Sequence, residues 1–159
     1  MKCAEFSLPH RVVVLAYDRL WPLEFGIAVE IFGWTRPEFL GMDWYDFAVA
    51  GPKEEIRSLG GMTMKPDLGY EAAADADTLI IPAWRDVNER PPEDMLQAVR
   101  LAAKNGARLV SFCTGAFVLA HAGVLSRRRA TTHWRDFGQL AEAFPDIELV
   151  DDVLYVDDG

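Results

Sequence analysis

Arg108-Leu109-Val110-Ser111-Phe112-Cys113-Thr114-Gly115-Ala116-Phe117-Val118-Leu119-Ala120-His121-Ala122-Gly123 is the stretch on which the fold turns. Leu109, Val110 and Phe112 make an apolar run long enough for a buried strand, and Ala116 to Ala122 suits a helix. Between them, Ser111 and Gly115 stand two residues before and two residues after Cys113. Small residues at those places permit the sharp turn of a nucleophile elbow, which pushes the middle side chain out of the sheet. A cysteine held there meets the end of the helix macrodipole that favours a thiolate. The plainer alternative for Cys113 is a small buried hydrophobe, the usual fate of a free cysteine.

Working outward, Arg11 to Tyr17 is a β-branched run without alternation, as in a strand buried on both faces. Asp18 follows as a turn residue, and Trp21-Pro22-Leu23 opens a helix that carries Phe25, Val29 and Phe32 and ends near Gly33. Trp44 to Ala50 is a second strand closed by Gly51-Pro52. Ile56 to Met64 is irregular or short-stranded around Gly60-Gly61, and Tyr70 to Ala76 allows a short helix. Thr78 to Pro82 is a third main strand. After a polar loop from Arg85 to Pro92, Glu93 to Lys104 is amphipathic, with Met95, Leu96, Val99 and Ala102 inward and Asn105-Gly106 as its end. Beyond the elbow come a basic turn at Ser126 to Arg129 and a short strand from Ala130. A helix from His133 to Phe144 and strands at Ile147 to Val150 and Val153 to Val156 complete the chain, the last as a hairpin return. Strands alternating with helices give an α/β doubly wound, mostly parallel sheet. In such a sheet Cys113, Pro82-Ala83-Trp84 and Tyr17-Asp18 converge at the carboxyl ends of the strands.

The 159 residues suit one domain with a proper core, and 50% hydrophobic content marks a folded chain. A net charge of −9 disfavours this segment as a nucleic-acid-binding surface. No apolar run approaches the roughly 18 residues of a membrane span, and residues 1–10 lack a signal-peptide core. The expected setting is cytoplasmic and reducing. Cys3 and Cys113 form neither a disulfide framework nor a zinc site, so no metal or cofactor is expected.

Several side chains can carry chemistry beside Cys113. Glu24, one turn into the first helix, can hydrogen-bond the thiol, or it is a solvated helix glutamate. Glu30 fits a capping or surface role. His133 can serve as a general base, or it starts a helix and satisfies a backbone group. His121, eight residues past the cysteine on the same helix, stands about two turns away and is rejected. Backbone N–H groups at Thr114 and near Ala83-Trp84 can form an anion pocket. Arg127-Arg128-Arg129 is a solvated charged turn.

Phe112-Cys113-Thr114-Gly115-Ala116-Phe117-Val118-Leu119-Ala120, Ala122-Gly123-Val124-Leu125 and Arg128-Arg129-Ala130-Thr131-Thr132-His133-Trp134 together resemble the ThiJ/PfpI (class I glutamine amidotransferase-like) superfamily. Within it they resemble the amino-terminal domain of AraC-type transcriptional regulators, though isocyanide hydratases share much of the block. Asp152-Val153-Leu154-Tyr155-Val156-Asp157-Asp158-Gly159 leans to the regulators. The resemblance implies a flavodoxin-like sheet with helices on both faces. It also implies a flexible segment 1–10, a sensor domain 11–159 cut at its carboxyl end, and a missing helix-turn-helix domain as the route to DNA.

By the same resemblance Cys113 is the elbow cysteine and Glu24 its acidic partner, where the hydratases commonly carry Asp. Pro82-Ala83 departs from the usual Pro-Gly, which touches the geometry of the anion pocket. The implied function is a dimerising, non-catalytic sensor that binds a small metabolite near Cys113 and Glu24 through Thr114, Gly115, Ala83 and Trp84. The second reading is a cysteine-dependent hydratase or hydrolase with Cys113 as nucleophile, Glu24 as proton partner and His133 as a lesser candidate. A third is a protective protein with an oxidisable thiol.

Overall fold

The computed structural model describes residues 9–34 and 45–159, so Cys3, Trp44 and all but the end of the amino-terminal segment lie outside the described residues. Five strands form the main sheet: β1 (Arg11–Leu15), β2 (Asp46–Gly51), β5 (Leu68–Gly69), β6 (Thr78–Ile81) and β7 (Arg108–Ser111). All four pairings are parallel, in the order β5-β2-β1-β6-β7. A small hairpin of β3 (Ile56–Arg57) and β4 (Thr63–Met64) turns through Gly60 and Gly61, both at positive φ. The short β5 was not foreseen from the sequence.

The first helix, α1 (Pro22–Ala28), begins on proline and runs into a π-helical turn, Val29–Gly33. A 3-10 turn at Tyr70–Asp75 precedes β6, and α2 (Glu93–Lys104) precedes β7. The elbow turn Cys113–Gly115 feeds α3 (Ala116–Ala122), which ends at left-handed Gly123. Beyond it, β8 (Arg129–Ala130) pairs with β9 (Glu148–Leu149) around α4 (Phe137–Ala143).

Side chains on a strand point alternately to its two faces, and β1 shows how the core follows. Val12 and Val14 pack with Ala28 and Ile80 under α1. Val13 and Leu15 join Leu79, Ile81, Met95, Val99 and Val118 on the side of α2 and α3. Both sets are buried, as the unbroken apolar run required. Each such side chain contributes about 1.5–3 kcal/mol on leaving water.

Three expectations need correction. The run Leu109-Val110 is not enclosed among the described residues: β7 ends the sheet that they form, and both residues are half-exposed. Val153 to Val156 forms no strand, since none of the described residues pairs with it, and Leu154 and Tyr155 stand in solvent. The helix expected from His133 instead opens with His133 as cap and a 3-10 turn, Trp134–Asp136, before α4 begins.

Candidate functional site

Cys113 has φ of 52°, in the left-handed region that non-glycine residues rarely visit. Such strain persists only where neighbours over-determine it, and here four hydrogen bonds do. Phe112 N–H donates to the Ile81 carbonyl at 3.0 Å, and Gly115 N–H to the Phe112 carbonyl at 2.7 Å. Thr114 Oγ1 donates to the Trp84 carbonyl at 2.8 Å, and Thr132 Oγ1 to the Cys113 carbonyl at 3.1 Å. Gly115 is required by close approach: a Cβ there would sit 2.6 Å from the carbonyl oxygens of Ile81 and Pro82.

The loops after β1 and β6 do converge beside the elbow. Tyr17 donates its hydroxyl proton to the Ala83 carbonyl at 2.6 Å, and its ring packs on Trp84. Trp84 donates its indole N–H to the Glu89 carbonyl at 2.8 Å, while the Arg85 guanidinium lies 4.8 Å from the ring centre. Arg85 also donates to the Asp18 carbonyl and pairs with Glu89, which pairs in turn with Arg19. These bonds hold Glu89 below the usual carboxylate range. Thr114, Gly115, Ala83 and Trp84 are all buried beside the elbow.

Burial pushes the Cys113 thiol above its ordinary value of 9.0. The Thr114 N–H and hydroxyl pull it down, and the Glu24 and Asp136 carboxylates push it further up. The thiolate expected from the helix terminus is thus not favoured, and desolvation is the largest influence against it. Glu24 is half-buried on α1, and its Oε2 is buried with no hydrogen-bond partner among the described residues. The same carboxylate and the thiol also act on Tyr17, whose hydroxyl is raised chiefly by burial.

His133 Nδ1 accepts the Arg135 N–H at 3.2 Å, so that nitrogen caps a turn. It lies 3.7 Å from Asp136 Oδ2. His121 sits against Phe144, with Nδ1 3.5 Å from Arg90, and burial followed by Arg90 lowers its pKa. Glu30 is exposed on the π-helical turn. Sequence reasoning missed Thr132, which lies in the block already singled out, and Asp136, two residues beyond its end.

Cys113 and His133 share the wall of a cavity of about 620 Å³ that Leu109, Phe112, Leu119, Arg128 and Arg129 also line. Among the described residues no three His, Cys, Asp or Glu side chains gather to hold a metal ion. No helix among them is long and apolar enough to cross a membrane.

A family model described as the DJ-1/PfpI family matches residues 10–159. An uncharacterized protein in the cpoL 5' region of Streptomyces lividans is 37% identical over 138 residues, covering 86% of this chain and 96% of that one. The HTH-type transcriptional regulator CdhR of Pseudomonas aeruginosa is 30% identical over 102 residues, covering 64% of this chain and 30% of its own length. Among solved structures, a putative transcriptional regulator protein from Vibrio parahaemolyticus superposes with TM-score 0.81 at 27% identity, over 94% of this chain and 80% of that one. An AraC family transcriptional regulator from Pseudomonas putida shares the fold, with TM-score 0.74 at 20% identity over 92% of this chain and 80% of that one.

Proposed function

The chain belongs to the DJ-1/PfpI family, and we propose that it works as the ligand-sensing, dimerising domain of an AraC-type transcriptional regulator in the cytoplasm. The HTH-type and AraC family regulators among its relatives and structural neighbours support a regulatory role. The observation that carries the non-catalytic reading is the state of the thiol. Burial, and after it the Glu24 and Asp136 carboxylates, raise the Cys113 thiol above its ordinary value, and no histidine hydrogen-bonds it among the described residues. A nucleophile in use is activated the other way, by a lowered pKa or an adjacent base. A small metabolite enters the cavity beside Cys113 and shifts the balance between two arrangements of the dimer. DNA contact falls to a helix-turn-helix domain of the kind that the relatives' names specify.

The test pairs binding with turnover. A thermal-shift screen of small metabolites is expected to give a hit that survives in Cys113→Ser, while isocyanides, amides and small aldehydes show no turnover. Turnover that disappears in a folded Cys113→Ala variant would establish the hydratase or hydrolase reading instead.

A further inference from the structure

Of the four hydrogen bonds that hold the elbow, three are made by chain neighbours of Cys113. The fourth is different in kind. Thr132, 19 residues further along the chain, donates its hydroxyl proton to the Cys113 carbonyl at 3.1 Å. It alone of the four takes hold of the strained residue's own peptide. Thr132 is itself fixed on both sides. Before it, Ala130 is buried against α3 beside Phe117 and Ala120. After it, the His133 ring caps the turn Trp134–Asp136 by accepting the Arg135 N–H at 3.2 Å. The hydroxyl of adjacent Thr131, by contrast, has no hydrogen-bond partner among the described residues.

We propose that Thr132 is a positioning residue for Cys113: its hydroxyl fixes the Cys113 carbonyl, and through it the left-handed backbone that sets where the sulfur points. A non-glycine residue at φ of 52° returns to a relaxed conformation unless its surroundings hold it there. Turning the peptide turns the side chain with it, so a bond to the carbonyl acts on the sulfur without touching it. The same segment brings up Asp136. Burial is the largest influence on the thiol, and Asp136 is one of the carboxylates that add to it. Loss of the Thr132 hydroxyl therefore lets water reach the sulfur and lets Asp136 draw back, and both changes favour the thiolate. This role is the same whether the thiol senses a ligand or reacts, and it goes beyond the sensor reading.

Alkylation of the full chain by iodoacetamide, read by mass spectrometry of the peptide that carries Cys113, tests this directly. Thr132→Val keeps the shape of the side chain and removes the donor. At about pH 8 it should alkylate about fivefold faster than the native protein, the equivalent of one ordinary hydrogen bond, and the pH midpoint of the reaction should fall. Thr132→Ser restores a hydroxyl and should return both to native values, and Thr131→Val should leave both unchanged. A contact that served only the fold would lower the melting temperature of Thr132→Val without moving the midpoint. Alkylation that is unchanged or slower in Thr132→Val, no recovery in Thr132→Ser, or an equal effect from Thr131→Val overturns the proposal. Loss of the folded state in Thr132→Val, seen by circular dichroism, overturns it too, because the bond would then serve the whole chain rather than the cysteine. Those outcomes leave the sensor reading standing, whereas turnover lost with Cys113 removes the sensor reading without touching the role of Thr132.

Discussion

Among the described residues β1 has a hydrogen-bonded neighbour on each side, and β7 has one. Both are short apolar strands opened by arginine, Arg11-Val12-Val13-Val14-Leu15 and Arg108-Leu109-Val110-Ser111. In β1 the four residues after the arginine are wholly buried, with both faces covered by helices. In β7 the corresponding residues are half-exposed, and they line the cavity that Cys113 also lines. One strand supplies stability and the other supplies access. The difference lies in sheet position, since a central parallel strand is enclosed on every side and a terminal one keeps a row of backbone groups for something else to meet.

The largest effect to look for is in the two leucines. Leu15→Ala should lower unfolding free energy by about 2–5 kcal/mol, as for a fully buried side chain, and Leu109→Ala by about 1 kcal/mol. Denaturant titration of both variants measures the gap, and equal losses would mean that β7 is as enclosed as β1.

A smaller contrast sets the elbow against the outer helix that follows. Gly115→Ala drives a methyl into the Ile81 and Pro82 carbonyls at 2.6 Å, an overpacking of about 1–3 kcal/mol. Gly138→Ala in α4 meets nothing within 4 Å and should stabilise by about 0.5–1 kcal/mol. Opposite signs in thermal unfolding support the close approach of β6 to the elbow. A neutral Gly115→Ala would break it.

The smallest effect concerns the thiol itself. Its raised pKa means that alkylation of native protein by iodoacetamide should climb with pH and reach its midpoint above the ordinary value of 9.0. Glu24→Gln removes a charge that opposes the thiolate, so the midpoint should move down while the fold is kept. A midpoint below 9.0 in the native protein would return the elbow to the activated-nucleophile class.

Much of this was legible in the chain because it depends on local pattern. Unbroken apolar runs gave β1 and β6, the spacing of Met95, Leu96, Val99 and Ala102 gave α2, and Ser111-Phe112-Cys113-Thr114-Gly115 gave the elbow. Each follows from side-chain periodicity or turn sterics within a few residues. The fold class followed from the alternation of these elements.

Tertiary structure alone decided the rest. Which apolar run lies at the edge depends on strand order, which no local period encodes, so β7 was expected to be buried and is half open. Val153 to Val156 has strand composition but no partner among the described residues, and a strand without a partner does not form. The thiol's state depends first on burial, then on adjacent Thr114 and on Glu24 and Asp136, the last two brought from other parts of the chain. Burial is the largest of these influences, because removing a charge from water is costly.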